Sequence, residues 1–222
     1  MPERSYSTIT GPANVLLLGR WTASAVVVLY VGYIAVLFAG DVAHGVPREP
    51  YLAIAEILTI VGALLQVFLF GAIYKCAPRS SKTFGLIALG WMLIMAGLTV
   101  TVHFVQLTVG RQIGIDGNSD LARVFGWEWP SFLYAVELAA WHLFFGVALL
   151  FSAPVFGGCG KEAVVRSGLR IVGLLCLLGL VGPAVGHLSW RMVGAFAYGV
   201  LFPVACVMIA LVFRDAPVEG KT

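Results

Sequence analysis

Six stretches of the chain are almost continuously apolar: roughly 14–40, 51–76, 83–109, 130–156, 167–188 and 190–214. A helix of about 20 such residues crosses the hydrocarbon core of a bilayer. The connections between the stretches are short, which leaves no room for a soluble domain. The pattern therefore predicts an all-α, polytopic membrane helical bundle: six spanning helices in a single integral membrane domain over residues 1–222. The opening MPERSYSTITGPAN is polar and mixed in charge, and the apolar run after it is too long for the core of a secretion signal. It is expected to stay as the first helix.

The connections differ between the two sides. CAPRSSK and GGCGKEAVVR are short and basic, whereas DVAHGVPREP and GRQIGIDGNSDLARVFGWEWP are not. With six helices, Arg4, Arg20, Lys75, Arg79, Lys82, Lys161, Arg166, Arg170, Arg214 and Lys221 share one side. Only Arg48, Arg111, Arg123 and Arg191 fall on the other. The positive-inside rule then places both termini in the cytoplasm, in a bacterial inner membrane. The longest connection, roughly 110–130, should hold a turn at Gly-Asn-Ser-Asp and a short interfacial helix over 120–125 capped by Asp120. Trp127 and Trp129 in it are expected either to anchor at the interface or to act as a lid.

Composition agrees with a membrane protein: 60% of residues are hydrophobic, 11% are charged, and mean hydropathy is +0.95. The formal net charge of +3 is the lysine and arginine asymmetry and gives no reason to expect nucleic acid as a partner. The expected environment is the lipid bilayer. The four cysteines, Cys76, Cys159, Cys176 and Cys206, fall at or toward the terminal side and form no CxxC, so structural disulfides are not expected.

Ionisable residues inside such segments are costly and point to function. Glu56 and Glu137 lie just inside the starts of two segments, and His103 and His187 at the ends of the segments that follow each. Antiparallel neighbours bring these four to one leaflet. A charge out of water is costly unless paired, so each glutamate needs either a partner or a bound proton. Tyr134 and Trp141 share a helical face with Glu137, whereas His142 points roughly 140° away, so Glu137 and His142 should not both face the cavity and one of them should face a neighbouring helix. Thr99 and Gln106 lie on the face of His103. Aromatic residues, including Phe104, Tyr134, Trp141 and Trp190, gather at the same level, with Tyr30 and Tyr33 deeper. His187 lies nearest the interface. No HExxH, GxSxG, P-loop or DDxxD-type cluster occurs, no lysine lies mid-membrane, and no metal site is assigned.

Helices 2–3 and 4–5 repeat an order: Glu early, a small-residue hairpin, a glycine-rich helix, and His at its end. This predicts a weak parallel repeat of helix pairs. The runs AEILTIVGALLQVFLFGAIY, HFVQLTVGRQ and WPSFLYAVELAAWHLFFGVALLFSAPVF resemble a family of bacterial six-helix integral membrane proteins, a likeness that brings no activity with it. In size and type the chain is also similar to the small bacterial membrane-bound terpene cyclases, without a matched motif. That second resemblance implies an intramembrane acid and an aromatic cavity.

Two functions follow as expectations. In the first, the chain is a terpene cyclase that starts cyclisation of a lipophilic polyprenyl substrate by protonating an alkene. Glu56 or Glu137 is the acid, and His103 with Gln106 orients it or accepts the final proton. Tyr30, Phe104, Tyr134, Trp141, His142, His187 and Trp190 contact the substrate. Ring faces stabilise the cations, and no cofactor is needed. In the second, the same polar site binds or transports a small ligand, a proton or a haem, whose iron two histidines on antiparallel helices at similar depth could ligate. Transport by so small a chain calls for a homo-oligomer.

Overall fold

Proline punctuates the starts of the helices. Pro12, Pro50 and Pro78 each stand immediately before a helix, and Pro130 two residues before another. Proline lacks the N–H a helix interior needs and biases the residue before it away from helix, so it is tolerated at a helix start. The computed structural model describes residues 8–44, 47–112, 119–127 and 129–220. Arg4, Asp116, Glu128 and Lys221, and the turn expected at Gly117 and Asn118, lie outside the described residues.

Six long apolar helices result: α1 (Ala13–Ala39), α2 (Tyr51–Cys76), α3 (Arg79–Gly110), α5 (Phe132–Val155), α6 (Lys161–Ala184) and α7 (Leu188–Asp215). A short helix, α4 (Ser119–Phe125), sits in the loop between α3 and α5. It starts one residue before the expected 120–125, so Asp120 lies in its first turn, where a carboxylate faces the positive end of the helix dipole. The architecture is an all-α bundle with the length and hydropathy of a multi-pass membrane protein.

The long helices form a closed ring. Each packs against its neighbours in sequence, and α7 returns to pack along α1. No helix fills the centre among the described residues, and the interior is closed instead by large side chains such as Phe70, Phe145, Phe202 and Phe213. Helix association inside a bilayer depends on close packing, because lipid is as apolar as leucine. Gly146 of α5 and Gly173 of α6 meet in this way: a Cβ on Gly173 would stand 2.8 Å from the Gly146 carbonyl oxygen. Outside, Trp21, Val28, Val31 and Phe38 of α1 are exposed, as suits a lipid-facing surface.

Both ends of the chain close the same face of the ring. Gly11 and Val218 form a β-bridge, and the Glu219 N–H donates to the Gly11 carbonyl at 3.1 Å. The buried Glu162 carboxylate accepts from the Thr8 N–H at 2.8 Å, the Thr8 hydroxyl at 2.5 Å and the Gly158 N–H at 2.8 Å. These bonds make Glu162 part of the first turn of α6, which starts six residues before the expected 167. At its other end α6 stops at Ala184, short of the expected 188. Gly186 has φ +85°, a left-handed conformation suited to glycine. The His187 N–H reaches back to the Gly182 carbonyl at 2.8 Å, closing a Schellman turn.

Candidate functional site

The end of the ring opposite the termini carries the polar cluster. Glu56 is on the second turn of α2, His103 near the end of α3, and Glu137 on the second turn of α5. Antiparallel packing brings the three to one level. His103 Nδ1 bonds to Glu56 Oε2, and His103 Nε2 lies 2.9 Å from Glu137 Oε1. Glu56 and His103 are buried, and Glu137 is mostly buried. One imidazole therefore bridges two carboxyl groups away from water.

The remaining oxygens differ in their surroundings. Glu56 Oε1 accepts the indole N–H of Trp127 at 2.8 Å. With His103 on its other oxygen, Glu56 is an acceptor on both sides, as a carboxylate is. Glu137 Oε2 is buried with no hydrogen-bond partner among the described residues. The two contacts are compatible with a His103 imidazolium that donates from both nitrogens, one to each carboxyl group, and Glu137 Oε2 is left without a partner among the described residues.

Glu137 and His103 stand on the wall of a cavity of about 90 Å³ at the centre of the ring. Tyr30, Tyr33, Trp141 and Tyr198 supply most of its aromatic surface, with Leu29, Thr59, Gly62 and Gln66 completing it. Trp141 is held by Tyr198 at 5.1 Å and Phe145 at 5.5 Å between ring centroids. Three spans depart from regular α-helix around this level, with π-helical turns at Gln106–Gly110, Ala139–Phe144 and Ala197–Leu201. Such turns frequently mark functional sites.

The loop before α5 covers the carboxyl groups. Besides the Trp127–Glu56 bond, the Gln106 amide donates to the Phe125 carbonyl at 2.5 Å, and the Ser131 hydroxyl donates to the Gly126 carbonyl at 2.5 Å. Trp127 stacks near His103 at 5.4 Å and meets Tyr134 edge-on at 6.1 Å. The Arg191 guanidinium donates to the Tyr134 hydroxyl and lies over its ring. Trp127 thus caps Glu56, while Trp129 is 39% exposed and meets Tyr134 at 6.2 Å.

Several residues expected at the site stand elsewhere. Gln106 holds the loop and does not orient the acid, because its amide is turned to the Phe125 carbonyl. Phe104 is 59% exposed and faces outward. Tyr134 belongs to the lid and not to the cavity wall. His187 is exposed, because α6 ends before it, and Trp190 is 48% exposed against the backbone of Gly182. His142 is buried but turned away from the cavity, as its spacing from Glu137 predicts. Its Nε2–H donates to the Arg191 carbonyl at 3.1 Å, and its ring is wedged between Gly179 and Gly194.

The proposed repeat matches at the glutamates and breaks at the histidines, since His103 is central and His187 peripheral. Both ring nitrogens of His103 lie against carboxyl groups, whereas His187 is exposed and does not line the cavity. Tyr198, Thr59 and Gly62 were not singled out by sequence, since nothing distinguishes them from ordinary helix residues. Comparison of the chain with protein-family models, with curated proteins and with solved structures returns no match.

Proposed function

We propose that the protein is an intramembrane enzyme that protonates an alkene of an isoprenoid lipid and so starts its cyclisation, with Glu137 as the acid. One observation carries the reading: Glu137 holds one oxygen against His103 and leaves the other buried and without a partner among the described residues, on a cavity walled by aromatic rings. The Glu137 proton passes to an alkene carbon, whose π electrons form the new C–H bond. The neighbouring carbon becomes cationic, a second alkene attacks it to close a ring, and the product cation returns a proton to the Glu137 carboxylate. The reaction is an isomerisation with no net loss of atoms. The His103 imidazolium stabilises the carboxylate left behind, and Glu56 with Trp127 holds that imidazolium in place. Tyr33, Trp141 and Tyr198 offer ring faces to the cation.

A cavity of about 90 Å³ is smaller than the roughly 150 Å³ that takes up benzene. Only a short end of a long chain fits this volume, so ring closure requires the cavity to widen around the substrate. The half-buried Leu29, Tyr33 and Thr59 support entry from the bilayer between α1 and α2. The lysine and arginine asymmetry supports a bacterial inner-membrane location with both termini cytoplasmic. The small cavity also favours a second reading, a binding or transport protein for a small polar ligand that the same carboxyl groups engage without chemistry.

The test is single turnover of polyprenyl substrates by enzyme equilibrated in D₂O in lipid nanodiscs, because the closing step reloads Glu137 with a proton from the substrate. The proposal expects one deuterium in the product at the protonated carbon. Glu137→Gln keeps the hydrogen bonding but cannot give the proton, so the rate should fall by about 10²–10⁴-fold. Wild-type turnover by Glu137→Gln, or product without deuterium, overturns the mechanism. A protein that consumes no prenyl substrate but binds small polar molecules supports the second reading.

A further inference from the structure

The carboxyl cluster occupies one end of the cavity wall, and the proposed reaction leaves two polar groups on that wall unused. Gln66 is fully buried, and neither atom of its amide has a hydrogen-bond partner among the described residues. The buried Tyr30 hydroxyl is likewise unpartnered among the described residues. Buried polar groups are nearly always paired, and leaving one unpaired is costly. Gln66 is ten residues beyond Glu56 on α2, about 15 Å further along the helix axis. Leu69 and Phe70, one turn further on the same face and fully buried, make the surface beyond it apolar. Tyr30 is held in place by edge-on contact with Phe202 at 6.3 Å.

The chemistry of the pair defines what suits it. The Gln66 amide offers a donor and an acceptor, and the Tyr30 hydroxyl offers either. Neither group is charged, and among the cavity-lining residues the ionisable pair Glu137 and His103 lies at the other end. The matching ligand is a neutral oxygen at the inserted end of an otherwise apolar molecule. A phosphate, carboxylate or ammonium would find no counter-charge here.

We infer that Gln66 and Tyr30 bind a neutral oxygen function, a hydroxyl or carbonyl, at the inserted end of the isoprenoid substrate, and so set which alkene lies level with Glu137. This rests on the function proposed above and names its substrate class. A site that hydrogen-bonds an oxygen also rejects the analogue lacking it, because its polar groups are then left unpaired.

The experiment measures equilibrium binding of radiolabelled farnesol to the full chain in phosphatidylcholine nanodiscs, with unlabelled farnesol and its hydrocarbon counterpart farnesene as competitors. Wild-type protein should prefer farnesol by about tenfold or more. Gln66→Leu and Tyr30→Phe should each reduce that preference to about twofold. Without ligand both variants should unfold at or above the wild-type temperature, since each removes polar atoms that have no internal partner. Equal binding of the two competitors by wild-type, a preference that survives in both variants, or no farnesol binding at all overturns the inference. So does a lower unfolding temperature in both unliganded variants, which would give the two groups a structural role. Binding is read without turnover, so the two proposals fail separately. A farnesol preference in a protein that converts no prenyl substrate removes the cyclase and keeps the oxygen site. Turnover without any preference does the reverse.

Discussion

His103 holds two buried carboxyl groups at once, so its removal should be far more costly than that of a typical membrane-helix side chain. In His103→Leu, the bonds to Glu56 Oε2 and Glu137 Oε1 are both lost. Hydrogen bonds to charged groups contribute about 1.5–3 kcal/mol each, which gives roughly 3–6 kcal/mol for the two. Breaking a buried ion pair by deleting one partner costs about 3–5 kcal/mol. The two routes meet near 4 kcal/mol, or close to a thousandfold in the unfolding equilibrium. Unfolding by dodecyl sulfate in mixed micelles, followed by tryptophan fluorescence, measures it, because Trp127 is bonded to the same cluster. The triple variant Glu56→Leu, His103→Leu, Glu137→Leu should recover most of the loss, since an apolar replacement of a buried charged network is often neutral or stabilising. A His103→Leu protein within about 1 kcal/mol of wild-type would refute the reasoning, and so would a triple variant as unstable as the single one.

Two further outcomes test the fold around this cluster. Gly194→Ala places a Cβ about 2.5 Å from the His142 ring, so it should destabilise by about 1–3 kcal/mol in the same titration, and adding His142→Ala should relieve most of that. The native Cys159 is exposed on the side of the termini, whereas Arg123 is exposed at the opposite end. A membrane-impermeant maleimide should label Arg123→Cys in intact cells and reach Cys159 only after the membrane is opened, and the reverse pattern would invert the topology.

The apolar runs alone determined that six helices exist and, α6 apart, nearly where each begins, because a bilayer demands about 20 apolar residues per span and proline punctuates several of the starts. Antiparallel succession also determined that Glu56, His103 and Glu137 share a level, since depth in a membrane follows from position along a helix. The angle of His142 from Glu137 was legible for the same kind of reason. Sequence could not decide which residues at that level face inward. The Gln106 amide was drawn to the Phe125 carbonyl of a neighbouring segment, a partner that no spacing along α3 reveals. A Schellman turn at Gly186 ended α6 early and put His187 outside. The ring closure of α7 on α1 brought Tyr198 to the same cavity wall as Tyr30 and left open space at the centre of the bundle. Whether Trp127 would anchor in lipid or cap Glu56 depended on where a loop 71 residues away in sequence came to rest. Periodicity carries depth and local angle, but a shared cavity is a property of several helices packed together, and only the tertiary structure holds it.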